Sequence, residues 1–386
     1  MSNSSSAIRL PSLFISLFVV LVAVLISLSP AGKAVDRFYL DSLFAFRGAE
    51  ESPQDIIIVG IDEDSFAEIN QQWPWPRSLH AGLLDNLHKA GADVVVFDVI
   101  FSEPSAVLQD EVFSGAIRQY PDTLLAMDIN IIEQQNFSRE VLVKPASSLN
   151  VSDRQLGFIN LPVHADGFVR DVNLRAGTYS SLSYMAAQHK DETCCRQLPD
   201  NSRILLNFSG PPGTVKTVSY YQALDPGRFL PADMFKNKLV FVGFTTSNVA
   251  DITQNTVDHF PVPFTIDKSG YMSGVEIHAN SAHNLLQNNY LREIPVLPFY
   301  LLAVLLAVII AIVSLYLSQL TGLLVVASVT AVLIASSVYL FNYELVFMPI
   351  AVLLIPLLSG YLAAPSLNLY KSNKEKRFIK NAFSSF

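Results

Sequence analysis

Three long runs without a charged residue interrupt this chain, one near its start and two near its end. They cover residues 10–32, 294–343 and 345–370. A membrane-spanning helix needs about 20 mainly apolar residues, so the first and third runs each fit one helix. The polar break at residues 318–322 divides the second run into two. We predict four transmembrane helices, at residues 10–30, 297–317, 321–341 and 345–364.

The first run has two interpretations. Residues 31–34, AGKA, resemble a signal-peptide cleavage site. The apolar core of a secretory signal is usually about 7–15 residues long, however, and this run is longer. We favour an uncleaved anchor, and both interpretations place residues 31–296 outside the cytoplasm.

Positive charge predicts the orientation. Basic residues close to a span stay in the cytoplasm, and a cluster of them follows the last predicted span: Lys371, Lys374, Lys376, Arg377 and Lys380. With four spans, the N-terminal tail (residues 1–9) and the C-terminal segment (residues 365–386) are both cytoplasmic. We therefore expect a multi-pass protein of the inner (plasma) membrane.

The region between the first two spans alternates between buried strands and amphipathic helices. Continuous β-branched runs at residues 56–61 and 93–101 are typical of strands buried on both faces. Between them, leucines three and four residues apart predict a helix over residues 77–90. Strand, helix and strand predict a βαβ unit with parallel strands. We also expect strands at residues 123–129 and 238–244, and helices at 110–119 and 274–287.

These elements define an α/β extracytoplasmic domain with a mixed sheet, joined to α-helical transmembrane segments. Composition agrees, because 51% of the 386 residues are hydrophobic and only 16% are charged. The net charge is −8 although the C-terminal segment is basic, so the domain itself is strongly acidic. An acidic surface repels nucleic acid, which we exclude as a partner.

Cysteine and histidine patterns argue against metal chemistry. Cys194 and Cys195 are the only cysteines, too few for a disulfide scaffold or a four-cysteine zinc site. They could form a vicinal disulfide or remain two small loop residues. His278 and His283 are five residues apart and do not share a helix face. We expect no metal, no cofactor and no catalytic set, and hence no enzyme activity in this chain.

The segment NFSGPPGTVKTVSYY, residues 207–221, resembles a phosphate-binding loop except at one position. Gly210 precedes Lys216 and Thr217 at the expected distance, but Val215 stands where the second glycine belongs. A β-branched valine resists the backbone conformations that such a loop needs. The residues that follow are typical of a strand rather than a helix. We predict a turn at residues 209–213 between strands at 204–208 and 215–221, and no nucleotide site.

Polar residues near the strand ends form a candidate site. Asp62 and Asp98 lie at or near the carboxyl ends of two strands that we expect to be adjacent, and Arg77 could pair with either one. Asp251 and Glu276 complete the set, and Glu276 shares a helix face with Asn280. Ligands often bind at this edge of an α/β sheet. The alternative is a polar network that only stabilises the fold.

Several motifs together resemble the extracellular sensor domain known as CHASE type 2. The specific ones are WPWPR at residues 73–77 and GVEIHAN at residues 274–280. Further matching segments are residues 61–62, 97–98 with Glu103, 157–160, 166–170, 207–210, and 238–243 with Asp251. The resemblance covers nearly all of residues 36–295. One span before the domain and three after it are also similar to that family, which implies a sensor with a cytoplasmic output.

The C-terminal segment resembles the connector that precedes a class III adenylate or guanylate cyclase domain. Its apolar residues recur at spacings of three and four and form one stripe of an amphipathic helix: Phe378, Ile379, Ala382, Phe383 and Phe386. The resemblance implies a homodimer in which two copies of this stripe pair. The alternative is a tail that lies on the membrane surface, held there by its lysines.

Two functions follow as hypotheses. The first is a membrane receptor module that detects an extracytoplasmic ligand or protein and signals to a class III cyclase beyond Phe386. The alternative is a freestanding membrane protein whose ectodomain binds an envelope partner without any output. An ectoenzyme would need an acid/base or nucleophile set, and none is apparent in the sequence.

Overall fold

The computed structural model describes residues 18–134, 137–195, 198, 203–245, 258–265, 270–294, 296–314 and 317–362. The chain divides into two compact units. Unit 1 combines Met1–Leu43 with Arg292–Phe386, and unit 2 is Phe44–Leu291. Asp251 and the apolar stripe at residues 378–386 lie outside the described residues.

Unit 2 is built on a mixed β-sheet. Its strands are β1 (Ile56–Ile61), β2 (Val94–Asp98), β3 (Thr123–Gln134), β4 (Phe137–Val143), β5 (Leu156–Phe158), β6 (Asp171–Asn173), β7 (Arg175–Ala176), β8 (Tyr179–Ser180), β9 (Arg203–Leu205), β10 (Thr217–Ser219), β11 (Leu239–Phe244), β12 (His259–Phe260) and β13 (Met272–Ser273). The main sheet has the order β10-β1-β11-β2-β3-β4, with β5 paired to β3. Only the β3–β4 pair in it is antiparallel. The predicted α/β class with a mixed sheet is confirmed.

The helices are numbered along the whole chain. They are α1 (Phe18–Leu28), α2 (Pro30–Arg47), α3 (Glu63–Ile69), α4 (Arg77–Lys89), α5 (Val107–Gln119), α6 (Leu182–Lys190), α7 (Tyr220–Leu224), α8 (Pro226–Phe229), α9 (Gly274–Gln287), α10 (Val296–Ser314), α11 (Gln319–Tyr343) and α12 (Ala351–Leu362).

Helices cover both faces of the sheet. One face carries α4, α5 and α7 and buries Val95 and Phe97, whereas the other carries α6 and α9 and buries Val94 and Val96. Successive side chains of a strand point to opposite faces, so the continuous apolar run of β2 fills both cores. This three-layer arrangement decides which polar residues can meet.

The predicted elements are present with small changes in length, but their order in the sheet differs from the prediction. The helix expected at 274–287 has those bounds in α9, and α4 is followed by Gly91 in a positive-φ conformation of 88°. The expectation that β1 and β2 are adjacent is wrong, because β11 lies between them and pairs with both. The two strands are parallel, but about 10 Å separates them at ordinary strand spacing.

The turn predicted in the glycine-rich segment is present, and the strands around it are shorter than expected. Gly213 has a φ of 85°, which suits glycine. β9 ends at Leu205, and β10 covers only Thr217–Ser219. Extending the second strand to Tyr221 is wrong, because Ser219 and Gln222 form a capping box that starts α7.

Unit 1 contains the apolar helices. By length and composition, α11 can cross a membrane over Leu320–Tyr343, and α1 with α2 meets the same test as a pair bent by 64°. Pro30 starts α2 at that bend, where its missing N–H favours a break. The apolar segments Leu297–Ile310 and Ala351–Leu362 are shorter.

The fourth predicted span begins later than expected. Val346–Phe347 forms a short strand, β15, which pairs in parallel with β14 (Arg292–Glu293). The helix α12 starts only at Ala351. Pro349 explains the delay, because the residue before a proline is disfavoured in helical conformation.

Candidate functional site

Asp62 caps a helix at the carboxyl end of β1. Its Oδ1 accepts a hydrogen bond from Ser65 N at 2.8 Å, and its Oδ2 accepts one from the Ser219 hydroxyl at 2.5 Å. Aspartate is among the strongest N-cap residues. The Asp62 carboxylate therefore links the start of α3 to the end of β10 and is engaged in holding the fold.

Arg77 and Asp98 lie on opposite faces of the sheet. Arg77 starts α4, where its Nε is 3.7 Å from Asp110 Oδ1 and its guanidinium lies 4.3 Å from the centre of the Phe101 ring. Asp98 alternates with Phe97 along β2 and so faces the α6 and α9 layer. The expected pairing of Arg77 with Asp62 or Asp98 is wrong, and its carboxylate partner is Asp110.

Two carboxyl groups, buried Asp98 and half-buried Asp258, lie at the carboxyl end of β2 and beside the start of α9. Asp98 is opposite Gly243 of β11, and burial raises the pKa of Asp98 to about 7. Burial, and then the charge of Asp98, raise the pKa of Asp258 well above its ordinary value. Neighbouring carboxylates repel each other, so this end of the sheet favours the neutral forms of Asp98 and Asp258.

The glycine-rich loop binds an anion of its own chain. The backbone N–H groups of Gly213 and Val215 donate to Glu276 Oε1 at 2.9 and 3.2 Å. Burial raises the pKa of Glu276, and the hydrogen bonds from this loop oppose that shift. In a phosphate-binding loop such N–H groups face the ligand. Here they face the Glu276 carboxylate, so a side chain of the protein itself holds the predicted turn.

The same loop is fixed to α9 by two asparagines. Asn284 Oδ1 accepts from Asn207 N at 2.8 Å, and Asn284 Nδ2 donates to Asn207 O at 3.0 Å. Asn280 Oδ1 accepts from Ser209 N at 3.1 Å. All four residues are buried. Glu276 and Asn280 thus share the helix face predicted for them, and that face binds the loop.

The end of α2 holds this loop from another side. Arg47 donates from Nη1 to Asn207 Oδ1 and from Nη2 to Phe208 O, both at 2.5 Å. Three residues further on, Glu50 N donates to Ser209 O at 2.7 Å. Residues 207–215, which we call the central loop, therefore contact both α2 and α9.

Sequence reasoning missed two residues of this network, Arg47 and Asn284. Asn284 lies four residues after Asn280 and eight after Glu276, so the three form one stripe. A polar stripe on an otherwise buried helix is a signal that could identify it. Arg47 offers no such signal, because 160 residues separate it from Asn207.

A groove opens at the opposite edge of the sheet from Asp62 and Asp98. Its volume is about 470 Å³, within the usual range of small-molecule sites. Residues before β1, β10 and β11 line it, among them Ser52, Thr214, Lys216 and Lys238. Because these strands are parallel, the groove lies at their amino ends.

Other residues that the sequence singled out have structural environments. Trp75 is buried and lies 5.2 Å from Trp73 and 4.8 Å from Tyr220, measured between ring centres. Trp75 lies in the core, and half-buried Trp73 packs against it. Cys194 and Cys195 are free thiols. Within the described ranges, no group of three or more His, Cys, Asp or Glu side chains is placed to hold a metal ion.

Comparison with known proteins identifies the family. No characterised protein and no solved structure matches the chain. A family model described as the CHASE2 domain matches residues 17–315. The match covers most of the chain and includes both specific motifs, at residues 73–77 and 274–280, as well as the central loop. The chain therefore belongs to the CHASE2 domain family, whose members are extracytoplasmic sensor domains.

Proposed function

We propose that this chain is the sensory and membrane part of a receptor that detects an extracytoplasmic signal and passes it through transmembrane helices to a cytoplasmic output. One observation carries the proposal. The central loop is hydrogen-bonded to Arg47 of α2 and to Glu276, Asn280 and Asn284 of α9. The chain continues into unit 1 from both helices. A displacement of this loop would therefore act on both segments that connect unit 2 to unit 1, namely α2 and the chain that follows α9.

The output in this proposal is a class III adenylate or guanylate cyclase. The likeness of residues 365–386 to a cyclase connector supports it. The receptor acts as a homodimer, since the apolar stripe at residues 378–386 needs a partner surface and its own copy is the simplest one. A ligand or protein outside the cytoplasm shifts the output only if it binds two arrangements of the dimer with different affinity.

A fusion of the chain, at Phe386, to the catalytic domain of a class III adenylate cyclase tests the proposal in cells without their own cyclase. Arg47→Gln weakens the link between α2 and the central loop. Allosteric couplings are typically about 5- to 150-fold, so we expect basal cyclic AMP formation to change at least about fivefold. Arg154→Gln, at an exposed arginine of the same unit, is the matched control.

The unsubstituted fusion and its two variants are compared at equal amounts in the membrane. A change with Arg47→Gln and none with Arg154→Gln supports signalling through the central loop. Equal cyclic AMP formation from all three proteins would contradict it and favour the freestanding alternative, in which the ectodomain binds an envelope partner.

A further inference from the structure

The groove is enclosed by three segments of unit 2. The segment after α2 contributes Ser52 and Gln54, the glycine-rich segment contributes Thr214 and Lys216, and the segment before β11 contributes Lys238. The first segment follows Glu50, which donates to Ser209 O of the central loop, and the second contains Thr214 of that loop. A ligand in this groove would therefore contact segments that belong to the central loop or adjoin its hydrogen-bond partners.

Two ammonium groups of the groove, those of Lys216 and Lys238, have no carboxylate partner among the described residues. Lys238 Nζ donates to the backbone oxygen of Gln54, which leaves its other hydrogens available. Among the described residues, no carboxylate lies within ion-pair distance of Lys216 or Lys238, although Asp233 lines the same groove. The chain as a whole carries a net charge of −8. The groove therefore brings together two lysines without a described carboxylate partner, in a chain that is acidic as a whole.

The rest of the lining offers hydrogen bonds and apolar contact. Gln54 and Thr214 add polar side chains to the lining. Pro231 and Met234 supply apolar surface. A site with two ammonium groups, polar side chains and some apolar surface suits a small organic molecule that carries an anionic group.

We propose that this groove binds a small organic anion, a carboxylate or a phosphate monoester, with its anionic group between the ammonium groups of Lys216 and Lys238. The glycine-rich segment thus takes part in anion binding by its lysine and not by its N–H groups, which hold Glu276. That the anion acts as a signal rests on the proposed function. Its binding to the groove does not.

Lysine footprinting on the full chain in phosphatidylcholine nanodiscs tests the site. The probes are succinate and inorganic phosphate, with succinamide as the uncharged analogue and chloride at equal ionic strength. We expect at least one anionic probe to slow acylation of Lys216 and Lys238 saturably. Exposed Lys236, which does not line the groove, is the internal control and should react at an unchanged rate. The probe that protects distinguishes a carboxylate site from a phosphate site.

Charge-changing substitutions test whether electrostatic attraction holds the probe in the groove. Lys216→Gln and Lys238→Gln each remove a charge while keeping a hydrogen-bond donor, and each should raise the Kd of the protecting probe about tenfold or more. Asp233→Asn removes the groove's negative charge and should lower the Kd. Lys236→Gln is the matched control, with no effect.

Three outcomes overturn the site: no saturable protection by either probe, equal protection of Lys236, or an Asp233→Asn variant that binds more weakly. The cyclase fusion separates this failure from failure of the proposed function. If the anion binds and the Arg47→Gln fusion leaves cyclic AMP formation unchanged, the site stands and the signalling role falls. If Arg47→Gln changes the output and no probe binds, the signalling role stands and the anion site falls.

Discussion

Glu276 explains why a segment so similar to a phosphate-binding loop does not need phosphate. Its carboxylate accepts from the N–H groups of Gly213 and Val215, so the loop's donors are satisfied within the fold. Glu276→Gln replaces one acceptor oxygen by an NH₂ group, which cannot accept. We expect a loss of about 1–3 kcal/mol of local stability and faster hydrogen exchange at those two amides, measured by mass spectrometry.

Glu68→Gln is the control for that change, because Glu68 is an exposed residue of α3. It should leave hydrogen exchange in the central loop unaltered. Unchanged exchange at Gly213 and Val215 in the Glu276→Gln variant would show that the carboxylate does not hold the loop.

Asp98 predicts an unusual pH dependence of stability. Burial raises the pKa of Asp98 from 3.8 to about 7 in the folded state, so the folded protein binds the proton more tightly than the unfolded chain. Its contribution to stability is fully present below pH 3.8 and is lost as the pH rises toward 7. Asp98→Asn mimics the neutral carboxyl, so we expect stabilisation at pH 8, on the order of 2–4 kcal/mol, and little change at pH 4.

Thermal melting of the full chain in detergent at the two pH values measures this difference. Melting temperatures that converge toward pH 4 confirm the neutral state of Asp98. A variant that is less stable at pH 8 would mean that the ionised carboxylate is needed there, and would point to a partner for it.

The close approach of β5 and α6 depends on a glycine. A Cβ atom at Gly157 would lie 2.5 Å from the Cα of Leu182 and 2.8 Å from its backbone nitrogen. Backbone atoms cannot move aside as a flexible side chain can, so Gly157→Ala must separate the strand from the helix. We expect a destabilisation of about 1–3 kcal/mol, measured by thermal or denaturant unfolding of the full chain.

Gly82 is the matched position in a helix. No atom lies within 4 Å of a Cβ built there, and alanine favours a helix by about 0.8–1.0 kcal/mol over glycine. Gly82→Ala should therefore leave stability unchanged or raise it. Equal effects of the two substitutions would show that the contact between β5 and α6 is not tight.

Periodicity predicted single helices and strands well because it reports local burial. The leucines of α4 and the continuous apolar run of β2 are visible within a few residues. The position of β11 between β1 and β2 is not, because pairing of distant strands leaves no local pattern. The site expected from Asp62, Arg77 and Asp98 does not form for two reasons. β11 separates β1 from β2, and the side-chain alternation of β2 turns Asp98 away from α4.

Only part of the candidate site was predictable from the sequence, for the same reason. Glu276 and Asn280 were predictable because they lie on one face of a recognisable helix. The groove was not, because it is assembled from residues that precede three separate strands, such as Ser52, Lys216 and Lys238. Each of these looks like an ordinary surface residue in its own segment. Only the parallel register of β1, β10 and β11 brings them to one edge.

The path of the whole chain through the membrane can be argued from one strand pair in unit 1. β14 precedes α10 and β15 follows α11, and the two pair directly, with Arg292 N donating to Leu345 O at 2.8 Å. If the helices between them cross a membrane, both strands lie on one side of it, so the number of crossings between them is even. The 19 residues of α10 and the 25 of α11 extend about 28 and 38 Å, close to or beyond the bilayer core of about 30 Å.

This arrangement supports the four-span proposal and makes it testable with single cysteines. In a chain with Cys194 and Cys195 replaced by serine, Glu344→Cys should react in intact cells with a membrane-impermeant maleimide. Exposed Glu344 lies between the third and fourth predicted spans, on the side that the four-span proposal places outside. Ser318→Cys and Lys380→Cys should react only after permeabilisation, because the four-span proposal places the polar break at residues 318–322 and the basic C-terminal segment in the cytoplasm. Labelling of Lys380→Cys in intact cells would place the C-terminal segment outside and remove the basis for a cytoplasmic cyclase.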